Sequence, residues 1–317
     1  MKTDTRMRRL GGTDLEVSPL NLGGNPFGWT ADRDATFAVL DAYRAAGGNF
    51  LDTADVYNKW VPGHVGGESE TLIGEWLASR RCRDAFIVAT KVGMGGPDIG
   101  KGLTNDQIAR GCDASLRRLG IERIDLYYAH EDDPATPLTE TMTAFDTLVR
   151  AGKVRWLGGS NYTAPRLKEA LDVSQEHGLA GYAVLQTRYN LVAREDYEGA
   201  LAGLCTKRGL GVCTFPALAS GFLTGKYPTD QKAIGPRAGN AQRYLDDPMA
   251  IARLERVRAV ANKHGATPAQ VAIAWQFHNP LVTAPIASAT SAAQVKELMA
   301  SIDLELDADD LQLLNRS

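Results

Sequence analysis

Short, solidly apolar runs alternate along the chain with stretches in which apolar residues return every three or four positions. The runs predict strands over 15–22, 49–52, 85–91, 124–128, 154–158, 184–187, 210–214 and 281–284, with a small hairpin around Gly11-Gly12 ahead of the first. The periodic stretches predict helices over 32–46, 68–79, 104–119, 138–150, 163–177, 197–208, 249–264, 267–278 and 291–301, and a terminal helix over 307–315. Their ends carry chemical punctuation. Thr104 with Gln107 makes a capping box and Gly120 a stop. Thr163 and Gly178 bracket another helix, and Thr267-Pro268 with Gln270 opens a third. The polar, Gly- and Pro-containing stretch 224–248 shows neither period.

Runs that are apolar throughout fit parallel strands covered on both faces. Strand and helix in strict alternation leave a doubly wound sheet or a barrel. With no compositional break, residues 1–317 read as a single domain, a length that closed α/β barrels reach. A hydrophobic share of 44% supplies a large core. The formal net charge of -3 excludes a nucleic-acid binder, because Arg6, Arg8 and Arg9 form the one basic cluster and no stripe joins it. No apolar run approaches the roughly eighteen residues of a membrane span, and no apolar stretch behind the N-terminal charges suggests a secretory signal. Cys82, Cys112, Cys205 and Cys213 lie far apart, as expected of buried thiols in a cytoplasmic protein.

Several familiar motifs fail. Gly23-Gly24 and the glycines around Met94 do not make G-x-G-x-x-G, and SGFLTGKY (220–227) lacks the first Gly and last Ser/Thr of a phosphate loop. HEDDP (130–134) reads as acids ahead of a helix and not as a metal site. What remains lies at strand ends. Asp52 ends the second run with Tyr57 just beyond it, Lys91 ends the third and His130 follows the fourth. Ser160 and Asn161 follow the fifth, while Gln186 and Phe215 end the sixth and seventh. In a barrel, one rim collects all of these.

These blocks resemble the aldo-keto reductase superfamily. FLDTADVY (50–57), the Lys of FIVATK and DLYYAH (125–130) look like its three catalytic blocks. LGGSNY (157–162) looks like its amide-binding block, and SGFLTGKY like the block at the cofactor pyrophosphate. The opening LGGTDLEVSPLNLGG and the helix start GESE (67–70) resemble bacterial reductases of the group that includes potassium-channel β subunits. The resemblance implies a (β/α)8 TIM barrel with extra helices and a small N-terminal hairpin. It implies an NAD(P)H-dependent reductase of a small-molecule aldehyde or ketone, with no metal. Tyr57 would be the general acid, Lys91 its neighbour, Asp52 the partner of Lys91, and His130 the group orienting the carbonyl. Ser160, Asn161 and Gln186 would hold the carboxamide, Phe215 the nicotinamide ring, and Leu223, Thr224 and Lys226 the pyrophosphate.

Elementary chemistry supports those roles. A phenol with a pKa near 10 is a weak acid, and an ammonium held beside it favours the phenolate. Two donors aimed at the carbonyl oxygen stabilise the charge that hydride addition builds there. At the adenosine end, Ser288, Thr290 and Gln294 stand where family members that prefer NADPH offer Arg or Lys, and Leu298 where Asn is common. NADPH remains the expected cofactor, with NAD also open. Phe27, Trp29, Trp60 and His64 are candidate pocket walls, and Lys226 and Arg237 are expected near phosphates. Two other classes stay open: a cofactor-binding sensor or subunit with little turnover, and a barrel lyase or isomerase.

Overall fold

The computed structural model describes residues 7–97, 99–229 and 231–316. Eight parallel strands close into a barrel: β3 (Asn21–Gly23), β4 (Phe50–Asp52), β5 (Ile87–Val92), β6 (Ile124–Ala129), β7 (Val154–Ser160), β8 (Tyr182–Arg188), β9 (Gly211–Phe215) and β10 (Ala284–Ala287). The seam pairs β10 with β3, with Ile286 opposite Asn21. This is the (β/α)8 architecture that the resemblance implied. Every residue of β6 is buried, as a strand between barrel interior and helix layer requires.

Outside the barrel lie α1 (Arg33–Ala45), α2 (Glu68–Arg80), α3 (Asn105–Leu119), α4 (Leu138–Arg150), α5 (Ala164–Glu176) and α6 (Ala200–Arg208). They are followed by α7 (Ala238–Leu245), α8 (Pro248–His264), α9 (Pro268–Phe277), α10 (Ala292–Ala300) and α11 (Ala308–Asn315). The predicted capping boxes form at Thr104 with Gln107 and at Thr267 with Gln270.

The first predicted strand divides in two. Glu16–Val17 (β2) pairs antiparallel with Arg8–Arg9 (β1), and only Asn21–Gly23 enters the barrel. This hairpin plugs the barrel floor, where Leu10, Leu15 and Val17 pack against Phe50, Leu126, Val184 and Ala284. Gly11 makes the approach possible: it is left-handed (φ 58°), and a Cβ on it would sit 2.1 Å from the backbone nitrogen of Gly211. The last strand falls three residues later than the pattern predicts, because 279–282 form a turn and the fully buried segment is Ala284–Ala287. The polar stretch 224–248 contains α7. Its Gly239 and Asn240 hide the helix from a propensity reading, but Ala241, Tyr244 and Leu245 make an apolar face, and Tyr244 packs on Phe222 at 5.5 Å. Among the described residues no helix is long and apolar enough to cross a membrane.

Candidate active site

The C-terminal ends of the barrel strands converge on a cleft of about 730 Å³, within the range of small-molecule sites. Asp52 is the last residue of β4, and the turn beyond it, with the Tyr57 amide donating to the Ala54 carbonyl, presents Tyr57 to the cleft. Lys91 lies on β5 and is fully buried. Its ammonium donates to Asp52 Oδ1 at 2.6 Å, to the Thr53 carbonyl at 2.7 Å and to Tyr57 Oη at 2.8 Å. An ammonium has three protons, so every one is committed and the charge is fixed in direction. Asp52 is held in turn, its Oδ2 accepting from Gln186 Nε2 at 2.7 Å.

His130 follows β6, and its ring lies 6.0 Å from that of Tyr57. Its buried Nδ1 has no hydrogen-bond partner among the described residues. Burial and the Lys91 charge hold its pKa well below the usual histidine range, so the ring is neutral. For Tyr57 the balance differs from the sequence expectation. Burial raises the phenol above its ordinary value, and the opposing pull of Lys91 does not overcome it. Burial also works against the Lys91 ammonium, but Asp52 and Tyr57 together outweigh it and raise its pKa. Tyr57 is therefore protonated at neutral pH, with the Lys91 ammonium against its oxygen.

The expected cofactor residues divide. Asn161, Gln186, Phe215, Thr224, Lys226, Ser288 and Gln294 all line the cleft. Ser160 and Leu223 do not. Both are fully buried, and Ser160 Oγ accepts from Asn161 Nδ2 at 3.2 Å. Gln186 spends its amide protons partly on Asp52, and the Asn161 amide also donates to the His130 carbonyl at 2.9 Å. At the far end, Gln294 Oε1 accepts from the Thr290 amide at 2.8 Å.

The sequence reading missed Asn25, Met94 and Glu297, which also line the cleft. Asn25 directly follows the Gly23-Gly24 strand end. Glu297 lies three residues after Gln294, on the same helical face. Also missed was a buried acid pair behind Tyr57. Glu70 is satisfied by Thr90 Oγ1 at 2.6 Å and Arg118 Nε at 2.7 Å. Asp55 has no partner for either oxygen among the described residues, and burial, with Glu70 nearby, pushes it up to about 7. The acids of HEDDP are used structurally: Glu131 pairs with Lys101, Asp132 with Arg166, and Asp133 accepts from the Leu103 and Ala135 amides.

Comparison with known proteins gives a consistent answer. The Aldo/keto reductase family model matches residues 19–317. A probable voltage-gated potassium channel subunit beta of Arabidopsis thaliana is 33% identical over 94% of this chain and 91% of its own. The oxidoreductase YrpG of Bacillus subtilis is 33% identical over 96% of this chain and 94% of its own. Protein tas of Escherichia coli is 32% identical over the same shares. The chain belongs to the aldo/keto reductase family of oxidoreductases.

Proposed function

We propose that the protein reduces an aldehyde or ketone to the alcohol with NADPH, NADH being accepted as well, and that Tyr57 is the general acid. The observation that carries this reading is the fully committed Lys91 ammonium, hydrogen-bonded to both Tyr57 Oη and Asp52 at the floor of the cleft. The cleft's residues fit a nicotinamide dinucleotide. The His130 ring nitrogen is orphaned, amides and an aromatic ring line one end, and hydroxyls and an amide line the other. Asn161 and Gln186 would hold the carboxamide, with Ser160 fixing the Asn161 amide. Phe215 would contact the ring, Thr224 and Lys226 the pyrophosphate with Leu223 packed behind them, and Ser288 and Gln294 the adenosine. When bound, the reduced nicotinamide supplies the hydride.

The chain's own part is then proton transfer and charge stabilisation. Tyr57 Oη donates its proton to the carbonyl oxygen as charge builds there, and Lys91 stabilises the phenolate left behind. Asp52, braced by Gln186, keeps Lys91 from turning away. Neutral His130 offers an N–H to the same oxygen. Acid catalysis of this kind contributes about 10²–10⁴-fold. Four buried, unpaired thiols suit a reducing cytoplasm.

Relatives named as channel subunits favour a second reading, in which nucleotide binding and not turnover is the purpose. Titrating NADPH and NADH against tryptophan fluorescence, then following nicotinamide absorbance with a nitrobenzaldehyde, separates the readings. Quenching with turnover is expected. Quenching without turnover of any carbonyl would favour the second reading, and no quenching would sink both.

A further inference from the structure

The turn that presents Tyr57 to the cleft carries a carboxyl group that the proposed chemistry does not use. Asp55 is fully buried, and neither of its side-chain oxygens has a hydrogen-bond partner among the described residues. Asp52 and Glu70, the other buried acids near it, are both engaged. What covers Asp55 is bare backbone. A Cβ on Gly96 would lie 2.4 Å from Asp55 Oδ2, and one on Gly66 would lie 2.9 Å from the Asp55 carbonyl oxygen and 3.3 Å from Pro97 Cδ. Glycine at both positions lets two chain segments close over the carboxyl with no side chain between. One of them, the segment 93–97, also reaches the cleft, where Met94 lines the wall with Tyr57 and His130. Gly93 (φ 118°) and Gly95 (φ 88°) flank Met94 in conformations that favour glycine, and Lys59 Nζ donates to the Gly95 carbonyl at 2.6 Å.

The charged groups facing Asp55 leave it uncompensated. Glu70 comes from α2, Arg118 from α3, Lys91 from β5 and Tyr127 from β6. Arg118 donates to Glu70 and Ser115, all three Lys91 protons are committed, and the Tyr127 phenol is neutral. The segment 93–97 has no ionisable side chain, and Lys59 is spent on its backbone. Burial, with Glu70 nearby, pushes Asp55 up to about 7, so the neutral carboxyl is the form that fits beneath the segment. Ionised in place, it would be a lone charge in a low-dielectric site. The smallest motion that brings it water is a lifting of 93–97, a local opening that costs far less than unfolding the barrel.

We infer that Asp55 is a positioning residue: its neutral carboxyl seats the segment 93–97 with Met94 against the substrate, and its ionisation releases that segment and weakens substrate binding. The effect on substrate rests on the proposed reductase reading; the release of the segment does not. With the segment lifted, the carboxyl meets water and titrates near its ordinary 3.8, and with the segment seated it titrates near 7. Opening is therefore unchanged below about pH 4, grows by up to about tenfold per pH unit above that, and levels off above about pH 7.

Hydrogen exchange reads the opening at the amides of Ile99 and Gly102, which donate to the Gly96 and Gly93 carbonyls. Asp55→Asn has the same shape and stays neutral, so measuring it alongside wild type at each pH removes the intrinsic pH dependence of exchange. Relative to this variant, wild type should exchange faster by about tenfold or more on going from about pH 5 to about pH 7, and no faster beyond. KM for para-nitrobenzaldehyde, which does not titrate in this range, should be alike in the two proteins at about pH 5 and about threefold or more higher in wild type at about pH 8, the difference appearing in KM and not in kcat. Met94→Ala should raise KM at the lower pH and flatten its pH dependence, while keeping the exchange course of wild type. A constant exchange ratio across this range overturns the inference. So do parallel KM profiles for wild type and Asp55→Asn alongside diverging exchange. The expected exchange in a protein that reduces no carbonyl would uphold the seating of the segment by Asp55 and sink the reductase reading.

Discussion

At the Tyr57 end of the cleft, side chains from three barrel strands and the loop after β4 hold one another in a set of hydrogen bonds. Lys91 has no free proton, Asp52 is engaged at both oxygens, and Asp52, Lys91 and Gln186 are buried behind a half-buried Tyr57. At the Gln294 end, the groups come from the loop after β10 and the first turn of α10, and they are exposed or half-exposed. Ser288, Thr290 and Gln294 are neutral, and Gln294 hydrogen-bonds back to Thr290. One end is rigid because low-dielectric burial makes each unmade bond costly. The other can be altered cheaply, because water competes for every contact. In the proposed reading, chemistry belongs to the first end and cofactor choice to the second.

The largest effect should come from breaking the rigid end. Tyr57→Phe should lower kcat by at least about a hundredfold, with NADPH and NADH affinity by fluorescence nearly unchanged. A variant retaining a tenth of the rate would remove Tyr57 from its role. Next comes the cost of that rigidity. Asp55, raised from 3.8 to about 7, stays protonated in the fold while the unfolded chain ionises. Its penalty is therefore absent below about pH 4, grows as pH rises and is complete above about pH 7. Asp55→Asn should gain a few kcal/mol of stability over wild type across that window. Parallel denaturation curves for the two proteins at every pH would contradict this.

Smaller effects belong to the open end. Without a cation, dissociation constants for NADPH and NADH should lie within about tenfold, roughly 1.4 kcal/mol. Thr290→Arg or Gln294→Arg should tighten NADPH and leave NADH nearly unchanged. A wild-type NADPH preference above about a hundredfold would mean that a cation from elsewhere, such as Lys296, reaches the phosphate. The smallest expected effect is none. With Tyr57 protonated past pH 10.0 and His130 neutral well below 6.5, kcat for reduction should be flat between those values, and a chelator should leave it so. An acid limb near 6.5 that persists in Asp55→Asn would show that His130 titrates where its burial says it does not.

The barrel was legible because its strands had to be apolar on both faces and several helices carried their own caps, as at Thr104, Thr163 and Thr267. The clustering of Asp52, Tyr57 and Lys91 was legible because a polar residue at the end of an apolar run, as at Asp52 and Lys91, falls at the barrel rim. Other features were hidden for physical reasons. The eight residues of α7 are stabilised by the contact of Tyr244 with Phe222, which no local pattern records. Gln186 was expected to serve the cofactor, but its bond to Asp52 crosses between strands far apart in sequence. The net direction of the Tyr57 shift depends on how deeply the phenol is buried, which neighbours in sequence do not reveal.

The floor plug also bears on the order in which the chain finds its shape. Leu10, Leu15 and Val17 leave the ribosome before any barrel strand, yet their partners include Val184 and Ala284, and the barrel closes only when β10 reaches β3. Contacts spanning nearly the whole chain form slowly. A hairpin made ahead of the barrel is thus among the last parts to be seated, and until then the nascent chain exposes apolar side chains of the kind that chaperones bind.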